Sequence, residues 1–494
     1  MKRITIIGGG ASGTLLALNL LKYEGEERLE VNLVEKRSSV GRGVAFSTEQ
    51  DVHLLNVPAA KMGAFADDVE HFHRWLTDNG YDYARNAFVP RRIFGEYLRD
   101  CLEKANEAKK QNVSLNIFDD EAVDIEIDTP GIGANVNERG DELDEMRKTD
   151  HEGLRNGQLE GYALPHGPSS DLKAQVRLAS GDILYSEKVA LAFGNFLPPH
   201  PSVADQSFVS SPRYLQDPWS PEVFKSIGQD DAVLIVGTGL SMVDVTMQLN
   251  RSGHRGIVNA ISTRGLLPAV HKLGFSYPSF FEEVKGKDRV TEVVKVVRGH
   301  AKRADGNGSD WRAVIDSLRP VTQEIWLGLP LAEKKYFMQH LSRYWNVARH
   351  RMPPEAAQVI DELRGTGQLQ ILKGRLQKIT WEDGIGFDVR YTTIGLEQYV
   401  HADVIVNCIG SESKFDELDS PLVKNLLARG SIKCDDLRFG LDATPDGHLN
   451  SANGEQSELL YTLGTALKGV LWESTAIPEI RTQARDLARK LIAE

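Results

Sequence analysis

Gly8, Gly10 and Gly13 stand at G-x-G-x-x-G spacing in "IIGGGASG", a spacing that can hold a pyrophosphate. Gly8 suits a sharp strand-to-helix turn, Gly10 lets a phosphate approach the backbone, and Gly13 lets the helix pack closely on its strand. A helix opening at Ala11 and Ser12 would add free N–H groups and a partial positive charge. Such a unit needs an acid at the end of its second strand to accept ribose hydroxyls, and "LEVNLVEK" places Glu35 22 residues past Gly13. An ordinary turn with a surface Glu35 is the competing reading. The basic residues Lys2 and Arg3 ahead of an apolar run also fit a secretion signal. That reading fails because Ile4 to Ile7 is β-branched and stops at Gly8, whereas a signal is helical and ends in a small-residue cleavage site.

A second unit repeats the first. "DAVLIVGTGLSMVDV" offers Gly237, Gly239, Leu240 and Ser241 after an apolar strand, and the two motifs start 229 residues apart. The third glycine is replaced by Met242, so this helix must pack differently, while the two glycines that serve the pyrophosphate remain. The next strand, "GIVNAISTRG", ends in Ser262, Thr263 and Arg264 where the first unit has Glu35. An acid there repels a 2′-phosphate and an arginine with hydroxyls accepts one, which points to NADPH. A solvated surface arginine is the alternative.

Two further apolar strands end in glycine, "KVALAFGNF" at Gly194 and "ADVIVNCIGSE" at Gly410. In two-nucleotide flavoproteins such strands mark the crossings between domains. The expected architecture is α/β with two Rossmann-like dinucleotide-binding domains. An FAD domain, split in sequence, covers 1–225 and 413–494. An NADP domain, inserted into it, covers 226–412. Residues 131–172 form a polar, acidic, turn-rich insertion expected to be a mobile loop, and 281–365 a helical insertion within the NADP domain. At the end of one of its helices, "ARHRMPP" gathers Arg349, His350 and Arg351. A solvated helix C-terminus, which favours positive charge, and an anion site are both open readings.

The chain is 494 residues long with a net charge of -12, enough for two or three domains. No basic block or aromatic-basic stripe stands out, so nucleic acid is not an expected partner. No apolar run reaches the roughly eighteen residues of a spanning helix, so no membrane is expected either. Cys101, Cys408 and Cys434 are scattered and form no C-x-x-C pair. They indicate a reducing cytoplasm and count against a cysteine-pair disulfide reductase. Cys408 reads as a core residue, and His71 and His73 lack a framework for metal.

"HLLNVPAAKMGAFADD" is similar to the segment of flavin-containing monooxygenases in which an Asn-x-Pro turn approaches the flavin. The matching positions are Asn56, Pro58, Met62, Phe65 and Asp67, with one extra residue between Met and Phe. "GTGLSMVD" likewise resembles their NADP motif. The whole chain resembles a bacterial family of FAD/NAD(P)-binding oxidoreductases through "GRGVAFST", "HLLNVPAAKMGAF", "FVPRRIFGEYL", "STRGLLPAVH", "YWNVARHRMPP" and "LWESTAIPEIRTQA". The resemblance implies cofactor contacts at Lys36 and Arg42, beside the first unit's acid and in "GRGVAFST". It also implies that Asn56 is catalytic. The chain departs from the monooxygenase pattern at "SFVSSPRYLQDPW", with Arg213 and no histidine, and at Thr465, where many flavoproteins have an aspartate.

The C-terminal stretch fits a flavin clasp, with Trp472 and Glu473 ahead of Ser474 or Thr475 capping a helix that begins near Ala476. The expected protein is an FAD-dependent, NADPH-using oxidoreductase of monooxygenase type acting with oxygen or a small-molecule substrate. A simple NADPH-dependent reductase and a non-catalytic redox sensor are the alternatives. Asn56 itself has two readings, a catalytic amide at the flavin edge or an Asx-type turn bonded to its own backbone.

Overall fold

In a computed structural model, residues 1–36, 40–127 and 174–493 are described. The acidic insertion 131–172 therefore lies outside the described residues.

The β-branched run Lys2–Ile7 is the strand the opening pattern predicts, and it pairs in parallel with Leu29–Val34, Ile4 opposite Val31. The first sheet runs in the order His448–Asn450, Gln456–Thr462, Lys188–Leu191, Lys2–Ile7, Leu29–Val34, Val113–Phe118. Gln456–Thr462 joins Lys188–Leu191 in parallel, so the C-terminal return completes the sheet begun at residue 2. Helix Ala11–Leu20 is apolar nearly all round, as a helix sandwiched on every side must be. It packs between Arg91–Ala108 and the terminal helix Ile477–Ala493.

The second sheet is entirely parallel, in the order Leu369–Lys373, Val258–Ser262, Val233–Val236, Val404–Asn407, Tyr214–Leu215. Its middle strand, Val233–Val236, is apolar at every position because both faces are covered, one by helices Leu240–Arg251 and Pro354–Gly365 and the other by an antiparallel meander. Both units insert an antiparallel meander at the same point, between the third strand and the strand that returns to the centre. In the first it is Ala122–Ile127, Ala174–Leu178 and Ile183–Ser186; in the second Arg375–Glu382, Gly386–Thr393 and Leu396–Ala402. The repeat in the sequence is thus a repeat of topology and not only of the glycine turn.

One boundary differs from expectation. Tyr214–Leu215, on the FAD side of a division at 225, pairs with Val404–Asn407 and belongs to the second sheet. A two-residue strand shows no periodicity, and its place is set by the Arg213 side chain, which bonds the Ser226 and Asp403 carbonyls and pairs with Asp231. The arginine that departs from the monooxygenase pattern therefore anchors the crossing between units. Between Phe281 and Gly365 the chain is helical, from Phe281–Val284 to Pro354–Gly365. This block closes its own apolar clusters, one of which takes in Trp472 from the C-terminal stretch.

Candidate functional site: two glycine turns and the junction between them

The first turn has the geometry its glycines require. Gly8 lies at φ +104°, where a side chain would be strained and its Cβ would meet the Ala192 carbonyl oxygen at 2.5 Å. A Cβ on Gly13 would sit 1.9 Å from the Gly8 oxygen, so the helix approaches the strand as closely as backbone allows. A Cβ on Gly10, by contrast, would meet only the Gly43 backbone, at 3.5 Å, so the space over Gly10 is not filled by side chains. Ala11 and Ser12 begin the helix, as expected.

Glu35 is buried at the end of its strand, and one carboxylate oxygen accepts the Gly9 N–H at 2.7 Å. Its carboxylate borders a cavity of about 380 Å³ that Arg42 and Arg99 also line. The Arg42 Nε is buried without a hydrogen-bond partner among the described residues. Open backbone over Gly10, an acid clamped to the turn and an orphaned guanidinium nitrogen suit the adenosine and phosphate portion of FAD. Lys36 is not brought to this cavity: it is exposed and pairs with Glu121 at 2.8 Å.

The second turn repeats the device at Gly237, whose φ is +120° and whose Cβ would meet the Cys408 oxygen at 2.2 Å. Met242 fills the third glycine's place and is fully buried. A cavity of about 720 Å³ opens over this turn, lined by Gly237, Gly239, Leu240, Ser241, Ser262, Arg264 and Gly410. All seven expected nicotinamide-nucleotide contacts thus share one space. The Ser262 hydroxyl is already engaged, with Thr238 Oγ1 at 2.9 Å and the Gly265 N–H at 3.0 Å. Gly194 lies elsewhere, on the first sheet's crossing, where the Thr465 hydroxyl donates to its carbonyl and to that of Phe193. The threonine found in place of aspartate ties two strands of the split sheet together.

Asn56 sits where the two units meet. His271, in a loop of the second unit, donates from Nε2 to the Asn56 carbonyl at 2.9 Å. Burial, with the Arg351 charge nearby, pushes His271 down to about 4, so the imidazole is neutral and keeps that donor near pH 7. The half-buried Asn56 side chain makes no hydrogen bond among the described residues. No Asx turn forms; the loop is held by Leu55 to Val89 and Ala59 to Ala87 backbone bonds. A second tie crosses nearby, an ion pair at 2.9 Å between Arg91, on a first-unit helix, and Asp244, on the helix of the second turn.

The C-terminal stretch differs from the expected clasp. Trp472 is buried among Trp326, Phe337 and Phe439. It is a core residue joining the helical block to the first unit. The terminal helix starts at Ile477, beside Ala476 as expected, but the buried Ser474 hydroxyl has no partner among the described residues and so does not cap it. Thr475 is half-buried and makes no cap bond among the described residues.

Glu473 accepts from the Trp345 indole at 2.7 Å and lies 3.7 Å from Arg349. Arg349 is buried between Glu473 and Glu479, and Arg351 is buried on Asp316. The cluster in "ARHRMPP" is therefore not a solvated helix end; only His350 reaches the second cavity. His71 and His73 bond Tyr97 and the Tyr83 carbonyl.

Arg91, His271 and the cavity-lining Arg343 and Arg375 escaped sequence reasoning. Asp244 carried a signal, since "GLSMVD" contains it.

Comparison with known proteins bears on the fold that carries these residues. Residues 5–147 match a family model described as FAD-NAD(P)-binding. Over its full length the chain is similar to the reduced form of ornithine hydroxylase from Pseudomonas aeruginosa, with a TM-score of 0.60 at 14% identity, covering 100% of this chain and 98% of that one. It is similar to L-lysine 6-monooxygenase from Pseudomonas syringae, with a TM-score of 0.57 at 14% identity and coverage of 100% and 99%. It is also similar to bacillithiol disulfide reductase from Staphylococcus aureus, with a TM-score of 0.54 at 11% identity and coverage of 100% and 99%. No curated protein sequence matches. Residues 5–147 thus match an FAD-NAD(P)-binding family model, and the described residues share the two-dinucleotide-domain fold of these three structures.

Proposed function

We propose that the protein is an FAD-dependent, NADPH-using oxidoreductase, with the nicotinamide and the flavin meeting at the junction that Asn56 occupies. The observation that carries this reading is the position of Asn56. Its carbonyl is held by His271 of the second unit, while its side-chain amide makes no hydrogen bond among the described residues. Gly8, Gly10, Glu35 and Arg42 would hold FAD through its adenosine and phosphates. Gly237, Gly239, Leu240, Ser241, Arg264 and Gly410 would hold NADPH. When bound, FAD supplies a two-electron acceptor whose reduced form reacts with oxygen or with an organic acceptor.

The chain's own part is orientation. The Arg91–Asp244 pair and the His271–Asn56 bond set the two units relative to each other, since a small misplacement of reacting groups slows transfer steeply. The neutral His271 would add no charge to a flavin held at this junction. The free Asn56 amide can donate to a substrate or cofactor oxygen, which supports a monooxygenase-like outcome. Cysteine chemistry has no support: burial pushes the Cys101 thiol up to about 12 and raises Cys408 as well.

A reductase is the second reading, because bacillithiol disulfide reductase has this fold too. FAD-loaded protein should be given NADPH in air, and anaerobically with an artificial electron acceptor. Turnover with oxygen supports the oxygenase reading, turnover only with the artificial acceptor supports a reductase, and no turnover in either leaves a binding protein.

A further inference from the structure

The geometry points to an anion clamp in the second cavity, built by three arginines from separate segments: Arg264 and Arg375 take the 2′-phosphate of NADPH, and Arg343 faces the pyrophosphate. It rests on the nucleotide reading above and adds two residues that no glycine motif marks.

Charge makes the first argument. In a chain of net charge -12, the cavity is lined by three arginines and by no aspartate or glutamate. None of the three forms an ion pair among the described residues. A 2′-phosphate carries about -1.5 to -2 at neutral pH, which one guanidinium cannot balance. The pyrophosphate adds two more negative charges, and a helix N-terminus offers only roughly half a positive charge. Arg264 with the helix of the second turn therefore leaves most of the ligand's charge unmatched. Arg343 and Arg375 supply what is missing.

Register makes the second. Val258–Ser262 and Leu369–Lys373 are adjacent parallel strands with Ser262 opposite Lys373, and the Gly374 N–H donates to the Ser262 carbonyl at 3.0 Å. Arg264 and Arg375 are each two residues beyond that matched pair, so both leave the same end of the sheet side by side. Two guanidinium groups there can grip one phosphate through several N–H donors. The Ser262 hydroxyl, occupied by Thr238 and Gly265, does not compete for it.

Arg343 comes from the helical block. On helix Ser342–Arg349, Arg343, Asn346 and Val347 share one face, with His350 a turn further on, and all four line the cavity. The same helix sends Trp345 and Arg349 to Glu473. The block therefore forms one wall of the nucleotide site while its other contacts secure it to the first unit.

The clamp is tested by calorimetric titration of the FAD-loaded protein with NADP⁺, NAD⁺ and 2′,5′-ADP. Arg375→Ala should weaken NADP⁺ and 2′,5′-ADP by about 10- to 150-fold, as loss of a charge-assisted contact implies, and leave NAD⁺ within about twofold. Arg343→Ala should weaken NADP⁺ and NAD⁺ by similar factors, and Arg375→Lys should recover part of the 2′-phosphate preference. Unchanged NADP⁺ binding by Arg375→Ala, or equal loss of NADP⁺ and NAD⁺ in that variant, overturns the clamp while a wild-type preference for NADP⁺ keeps the nucleotide reading. Wild-type protein that binds neither nucleotide overturns both.

Discussion

Replacing Asp244 by asparagine should loosen the junction between the two nucleotide units. Its carboxylate pairs with Arg91 at 2.9 Å, and the two side chains are only 9% and 15% exposed. Removing one partner of a buried pair costs about 3 to 5 kcal/mol, because the other charge is left desolvated and unpaired. The residual exposure of Arg91 places the expected loss at the lower end, about 3 kcal/mol, or roughly a 100-fold change in the unfolding equilibrium.

Urea unfolding followed by tryptophan fluorescence measures it in four proteins: wild type, Asp244→Asn, Arg91→Met and the double variant Arg91→Met/Asp244→Leu. Each single change should show the full loss. The double variant should lose less than the sum by about 2 kcal/mol or more, since it leaves no orphaned charge. Flavin reduction by NADPH should slow at least about tenfold in the single variants, as the units lose their fixed orientation. Single variants that each lose less than about 0.5 kcal/mol would place the pair with ordinary surface contacts and refute the reasoning.

Other consequences follow from the same geometry. Gly13→Ala forces a Cβ to within 1.9 Å of the Gly8 oxygen, so the variant should lose stability by about 1 to 3 kcal/mol and release FAD, which thermal melting and retained flavin absorbance would show. Gly10→Leu, where only Gly43 is near, should fold normally yet fail to take up FAD. Asn56→Ala should keep FAD, stability and reduction by NADPH, but return a larger share of the consumed NADPH as peroxide; an unchanged peroxide yield removes the catalytic reading of the amide.

Burial also makes stability depend on pH through His271. Its folded value of about 4 lies below the ordinary 6.5, so only the unfolded chain takes up this proton between them. The melting temperature should therefore be insensitive to His271 above pH 6.5 and fall from 6.5 towards 4, with a shallower fall in His271→Gln.

What the sequence made legible were the features that backbone geometry ties to residue type. Gly8 and Gly237 occupy positive φ, and Gly13 touches backbone, so no other residue type would have served and the motifs could be found by spacing. Glu35 and Arg264 were legible because each lies just past the strand that follows its turn, one residue after Val34 and two after Ser262. Arg91, His271 and Arg375 were not, since each gains its meaning from a partner or cavity wall assembled across a long stretch of chain. The C-terminal stretch misled for a related reason. Serine and threonine before a helix have the chemistry of a cap, but Trp472 and Glu473 are fixed by the helical block, and the turn between them and Ile477 leaves Ser474 unbonded.

The central claim is that one chain binds FAD on its first unit and delivers reducing equivalents to it from NADPH on its second. Anaerobic titration of the FAD-loaded protein with NADPH, followed by flavin absorbance, tests it most directly. The account predicts yellow protein whose flavin band bleaches in proportion to added NADPH and returns when oxygen is admitted. Protein that takes up no FAD, or FAD-loaded protein whose spectrum NADPH leaves unchanged, would contradict it.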